Sequence, residues 1–342
     1  MDLTATVYCP PRARSPWRLE DFFAPSSLRH YAYGRHALAE ALRLSGAAGG
    51  RVLLPSFLCR DLLSAVAAVD AEPVYYKVKA DLTPEEDSSL WPSAEAVLAV
   101  DYFGFPQDLS PFKAYAQRCG AVLVEDAAHA LFSRDAAGHL LGTRAPLGIL
   151  SLRKSLPLPN GGALLASDAS LAAKLPPQTP FQPPPDGRPA LKAALRPFLA
   201  LAGARAAHAG LTALRTLRGD SSGHVAPDPG SETSLPRPAE PCSQLGRPLV
   251  CADPVIEASR RRALWNICDS LARRAGLSPL FSSLPEGVVA YAYAFRSGDL
   301  GAAQRLFAAE GLTALPWPDL PSAVASTAPT HYRDVGLVHF LW

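Results

Sequence analysis

Four residues in this sequence stand where they could do chemistry. Lys154 follows the run Leu147-Gly148-Ile149-Leu150-Ser151-Leu152-Arg153, which reads as a buried strand, and it is one of only six lysines in an arginine-rich chain. Burial lowers the pKa of a lysine because the ammonium loses its hydration shell. The partly neutral amine that results is what a Schiff-base nucleophile requires. A strand-end lysine whose head snorkels to water fits the same pattern. Asp126 ends the run Ala121-Val122-Leu123-Val124-Glu125, and His129 lies three residues further on. A carboxylate at that place can face a ligand, or it can cap a helix over Ala127–Leu131. Gly34 opens a strong helical pattern, Arg35-His36-Ala37-Leu38-Ala39-Glu40-Ala41-Leu42-Arg43-Leu44. The unpaired N–H groups of a helix start bind anions such as phosphate, although an ordinary glycine turn looks the same in sequence.

The elements around these residues must position them. Apolar runs at 51–55, 73–78, 96–101, 121–124, 147–152 and 162–167 read as strands, with helical patterns at 61–69 and 108–119 between them. Continuous apolar strands alternating with helices predict an α/β fold whose largely parallel sheet is covered on both faces. In such sheets ligands bind beyond the carboxyl ends of the strands, and Asp126, Tyr102 and Lys154 all fall at such ends. No GxGxxG or P-loop pattern is present, which weakens dinucleotide and nucleoside-triphosphate readings. The rhythm breaks in a proline-rich stretch at 176–241. Within it, residues 189–218 are rich in alanine and arginine and read as a helix, packed on its own protein or touching a membrane surface. After Cys242 order returns, with a helix over 253–275 that carries Arg260-Arg261-Arg262, a strand at 288–293, a helix at 299–310 and a strand at 312–315. Residues 1–30 show little periodicity and read as an arm.

Composition narrows the functions. A net charge of +2 gives no case for nucleic-acid binding, and 48% apolar with 19% charged residues suits a chain that buries much of its surface. The six cysteines, Cys9, Cys59, Cys119, Cys242, Cys251 and Cys268, have no CxxC or Cys/His ligand spacing. That argues against a metal site and fits a reducing cytoplasm. The N-terminus lacks the apolar core of a signal peptide, and no apolar run reaches the ~20 residues of a membrane span. The expectation is a cytoplasmic protein without membrane or nucleic-acid partners.

In serial order, GRHALAEAL, VLLPSFLCRDLLSAVAAVDAEPVYYKV, VLAVDYFGFPQDL, VLVEDAAHALFS and LRKSLPLPNGG resemble the successive blocks of the DegT/DnrJ/StrS-type sugar aminotransferases, a family of fold type I pyridoxal-phosphate (PLP) enzymes. ASRRRALWN and Trp317-Pro318 look like later blocks of that family. The likeness covers roughly residues 30–170 and 240–320. It implies a large PLP-binding domain at 31–240, with the insertion at 176–241, and a small C-terminal α/β domain at 241–342. It further implies that Lys154 binds the cofactor and later acts as base, that Asp126 pairs with the pyridine nitrogen, and that His129 stacks on the ring or bonds its phenolic oxygen. The phosphate is expected at Gly34, Arg35 and His36, with help from Ser151. Arg35 stands where the family usually has threonine. Cys59 stands where a stacking aromatic is usual, leaving Phe57 or His129 for that task. The resemblance implies transfer of an amino group from glutamate or glutamine to a keto-sugar nucleotide or related ketone. A dehydratase or lyase on the same fold, or a non-catalytic relative, is the alternative. A homodimer is implied, with the 1–30 arm lying across the partner.

Overall fold

The computed structural model describes residues 13–183 and 229–340, together with Ala206, Ala209 and Gly210. The first twelve residues of the predicted arm, nearly all of the predicted 189–218 helix and the last two residues lie outside them.

A seven-stranded sheet forms the larger part. Its strands are β1 (Ser27–Tyr31), β2 (Arg51–Pro55), β3 (Glu72–Tyr76), β4 (Ala96–Val100), β5 (Val122–Asp126), β6 (Leu147–Leu150) and β7 (Gly162–Ala166), in the spatial order β1-β7-β6-β5-β4-β2-β3. The strands from β6 to β3 are parallel, as the apolar runs predict. The innermost, such as β4 (AVLAV), are buried at every position, because both faces are covered. β7 alone is reversed and pairs antiparallel with both β6 and β1.

Helix α1 (Leu19–Phe22) and strand β1 correct the reading of residues 1–30 as an arm, since residues 27–31 belong to the sheet. Their alternating burial, with Leu28 and His30 inward, is a half-buried edge pattern too short to stand out in sequence. Trp17 also bridges to Leu249, which ties this segment to the same chain. Helix α2 (Gly34–Leu44) packs its Ala37, Leu38, Ala41 and Leu42 face on the sheet. Helices α3 (Leu63–Ala67), α4 (Ser110–Cys119) and α5 (Ala169–Ala172) follow.

The C-terminal part is built on α6 (Pro254–Arg274), whose Asp253 side chain caps the N–H groups of Val255 and Ile256. Four antiparallel strands, β8 (Ser278–Pro279), β9 (Ala292–Arg296), β10 (Ala314–Pro316) and β11 (Val335–His339), take the order β10-β11-β9-β8. Helices α7 (Leu300–Ala309) and α8 (Ser322–Ala325) complete it. The strand predicted at 288–293 begins instead at Ala292. Residues 287–291 are claimed by loop partners: Val289 N–H bonds Ser133 Oγ at 2.9 Å, and Tyr291 N–H bonds the Phe103 carbonyl at 2.8 Å.

One register contact sets the geometry of the site. Gly162 opens β7 opposite Tyr31, and a Cβ on it would lie 2.2 Å from the Tyr33 carbonyl carbon and 2.5 Å from Gly34 N. Those neighbours are backbone and cannot rotate aside. Gly162→Ala is therefore expected to destabilise by about 1–3 kcal/mol or more, as overpacking does. Urea unfolding measures it; a midpoint equal to the parent's would show that the Tyr33–Gly34 turn has room to move.

Candidate active site

The carboxyl ends of β4, β5 and β6 open on a cavity of about 220 Å³. Its walls include Gly34, Arg35, Cys59, Asp126, His129, Ser151 and Lys154, seven of the nine residues singled out in the sequence. Phe57 and His36 are the exceptions. Phe57 is fully buried and packs against Trp317, Tyr332 and Tyr102 at 4.9–5.7 Å, so it backs the wall and presents no face to the cavity. The His36 ring stacks on Tyr33 and its Nε2 meets the Pro236 carbonyl at 3.1 Å. Its N–H is already bound to Tyr33 O.

Alternation along β5 explains which acid faces the cavity. Asp126 lines it, with Oδ1 accepting from Ala128 N–H at 2.9 Å. No helix follows, so this carboxylate caps a turn only. Glu125 points to the other face and accepts from Arg144 Nε at 2.7 Å, and Arg144 Nη2 also donates to Asp101 Oδ1 at 2.7 Å. That buried set anchors the ends of β4 and β5 behind the cavity. Burial raises the Asp126 carboxyl, while the nearby Lys154 charge draws it back down.

Lys154 sits in a single 3₁₀ turn, Leu152–Lys154, directly after β6. Its Nζ lies 2.9 Å from His129 Nε2. The other side of that ring fixes the proton. Phe103 N–H donates to His129 Nδ1 at 3.3 Å, so Nδ1 carries the lone pair and the neutral ring has its proton on Nε2. Nε2–H then faces Nζ, and the bond is satisfied when the amine is uncharged and accepts. Burial lowers the Lys154 pKa, with Asp126 opposing, and burial together with Lys154 pushes His129 well below its usual value. Phe103 presents its N–H from a left-handed conformation, φ 57° and ψ 14°, which costs a non-glycine residue about 1–2 kcal/mol.

The His129 ring sits among aromatic neighbours. Tyr291 stacks on it at 4.4 Å and 4°, and Phe103 lies nearly parallel at 5.8 Å. The Nε2 edge of His129 faces Lys154. At the mouth, Arg35 pairs with Asp61 at 3.2 Å, and Arg35 and Arg153 flank the Tyr33 ring at 5.9 and 5.4 Å. The N–H groups of Gly34 and Arg35 donate to no backbone carbonyl among the described residues. Tyr33, Asp61, Arg153, Tyr291 and Trp317 all line the cavity without having been singled out for it. Only Arg153, next to the lysine, carried a positional signal.

The architecture is that of the fold type I PLP-dependent transferases. CalS13, a sugar aminotransferase from Micromonospora echinospora, superposes with a TM-score of 0.59 at 17% identity, covering 98% of this chain and 90% of that one. A putative sugar aminotransferase from Streptococcus pneumoniae, in its PLP form, gives 0.59 at 15%, covering 96% and 88%. At such identities these likenesses show the fold. Residues 31–176 match the sequence model of the DegT/DnrJ/EryC1/StrS aminotransferase family, and the resemblance read from the motifs holds there. The L-glutamine:2-deoxy-scyllo-inosose aminotransferase of Streptomyces kanamyceticus is 32% identical over 149 residues. That match spans 42% of this chain and about a third, 35%, of the relative's length.

The electrostatics predict a pH profile. A lysine held below its ordinary pKa reaches its neutral form at lower pH, so acylation of Lys154 by a small acid anhydride should plateau below the range of the exposed lysines. Asp126 raises the Lys154 pKa, so Asp126→Asn should move the midpoint further down. Peptide mapping of the labelled lysine reads it, and an upward move in Asp126→Asn would contradict the assigned coupling.

Proposed function

We propose that this chain is a PLP-dependent aminotransferase that passes an amino group from glutamate or glutamine to the keto carbon of a sugar nucleotide or related ketone. The observation that carries this reading is the Lys154 amine 2.9 Å from His129 Nε2, in one cavity with the buried carboxyl of Asp126. The residues present fit the cofactor. Lys154 would hold its carbonyl carbon, and Asp126 would sit at its ring nitrogen. Gly34 and Arg35 N–H groups, with the Ser151 hydroxyl, suit its phosphate, because a helix start favours anions. Gly34 serves here through close approach: a Cβ on it would lie 3.2 Å from Leu150 O and 3.4 Å from Ser151 Cβ.

When bound, the cofactor supplies an electron sink for charge left on the substrate carbon. The chain's residues do the rest. Asp126, as a carboxylate, keeps a proton on the ring nitrogen. With the cofactor bound, His129 would offer Nε2–H to its phenolic oxygen, and the Phe103 N–H would keep that proton on Nε2. Lys154, once displaced, would take and return a proton at Nζ, and burial, by lowering its pKa, favours the neutral form that a base needs. Cys59, lacking a ring, leaves the stacking task in this cavity to Tyr102 or Trp317.

The inosose relative's name supports a keto cyclitol or keto sugar as acceptor and L-glutamine as donor. A homodimer is part of the reading, supported by the usual construction of fold type I sites at a subunit interface, as is a division near residue 240, supported by the two separate sheets. A cytoplasmic setting is supported by the cysteines, the five among the described residues all being free thiols. Among the described residues no helix is long and apolar enough to cross a membrane.

Incubation with PLP followed by borohydride should label Lys154, and Lys154→Ala should lose the label and all amino transfer from glutamine to a panel of keto sugars and keto cyclitols. A Lys154→Ala protein that still traps PLP would overturn the assignment. Light scattering of the PLP-loaded parent should give twice the chain mass at micromolar concentration; a single-chain mass would remove the dimer.

A further inference from the structure

A second buried charge cluster is left unused by this chemistry. Arg261, on α6, is 1% exposed, although a guanidinium is costly to bury. Its Nε donates to Glu257 Oε1 at 2.6 Å, one helical turn away and fully buried. The rest of the fork leaves the helix. Nη1 donates to the Ala290 carbonyl at 3.2 Å, and Nη2 lies 3.4 Å from the Ser155 carbonyl and 3.5 Å from that of Lys154. Neither the Lys154 nor the Ser155 carbonyl receives a backbone N–H among the described residues. Buried carbonyls need a donor, and this guanidinium is the one at hand. Ala290 precedes Tyr291, whose ring stacks on His129. One side chain therefore ties both walls between which Nζ and Nε2 meet. Glu257 also accepts from Arg260, at 2.8 and 2.9 Å, and Arg260 donates to the Phe340 carbonyl at 2.8 Å, just past β11.

We propose that Arg261 is a positioning residue for Lys154: it holds the 3₁₀ turn and the Ala290–Tyr291 segment in one register, so that the amine is presented to His129 and Asp126 instead of to water. This rests on the PLP reading above. The planar fork is what the task needs, since donors must reach Glu257 on one side and carbonyls of two segments on the other. A lysine supplies a point charge without that span.

The test compares the parent, Arg261→Lys and Arg261→Gln. The rate of borohydride-trapped PLP on Lys154 is followed against pH, with urea unfolding and hydrogen exchange of the 150–158 peptide in parallel. Arg261→Lys should fold, exchange faster across 150–158, trap PLP at least tenfold more slowly, and show a trapping midpoint moved up towards that of an ordinary lysine. Arg261→Gln should show the same changes, larger. A folded Arg261→Lys with the parent's rate and midpoint would overturn the proposal. So would failure of both variants to fold, or lowered urea stability with an unmoved pH profile, since either makes Arg261 a structural strut alone. A parent that traps no PLP would refute the PLP reading itself, a different outcome from variants that match a trapping parent.

Discussion

An amine and a carboxyl that share one cavity at the ends of adjoining strands govern this molecule. Lys154 follows β6 and Asp126 ends β5, and these strands are parallel neighbours. Burial drives both groups toward neutrality while each draws the other toward charge. The balance holds only if the walls stay dry and fixed. Phe103, Tyr291 and Trp317 give an aromatic enclosure around His129, and the left-handed turn at Phe103 turns a backbone N–H into the device that sets the histidine tautomer. Strain of this kind persists where surrounding structure over-determines it. Here the Tyr291 N–H bond to the Phe103 carbonyl supplies part of that support.

The parallel strands were legible because buried strands write themselves as unbroken apolar runs. Lys154 and Asp126 were legible because each ends one. What stayed hidden depended on contacts remote in sequence. β1 is five residues of mixed polarity, and its partner strand lies more than a hundred residues later. β11 likewise draws its definition from distant partners, β9 and β10. Arg35 suggested a phosphate contact, yet in the fold it has an acid beside it, Asp61, whose nearness no local pattern announces. Phe57 has the right ring in the right block but points into the core, where Trp317 and Tyr332 close over it.

The three consecutive arginines of α6 show the same limit. In sequence they are three charges carried on one predicted helix. In the structure each ties a different piece of backbone to α6: Arg260 the Phe340 carbonyl, Arg261 the lysine turn and Ala290, and Arg262 the carbonyls of Leu284, Pro285 and Glu286. Two of the three are buried around one carboxylate, a use of charge that composition and periodicity do not reveal.

The reversed strand β7 bears on how the protein is made. A chain folds from its N-terminus as it is synthesised, and long-range strand pairing waits for both strands. β1 finds its neighbour only when β7 has emerged, and the Tyr33–Gly34 turn is seated against Gly162 at that same moment. The lysine turn waits longer still, for Arg261 on α6. The earliest helix of the site is thus synthesised first and completed late, so a chain interrupted before α6 carries Lys154 without the Arg261 contact to its turn.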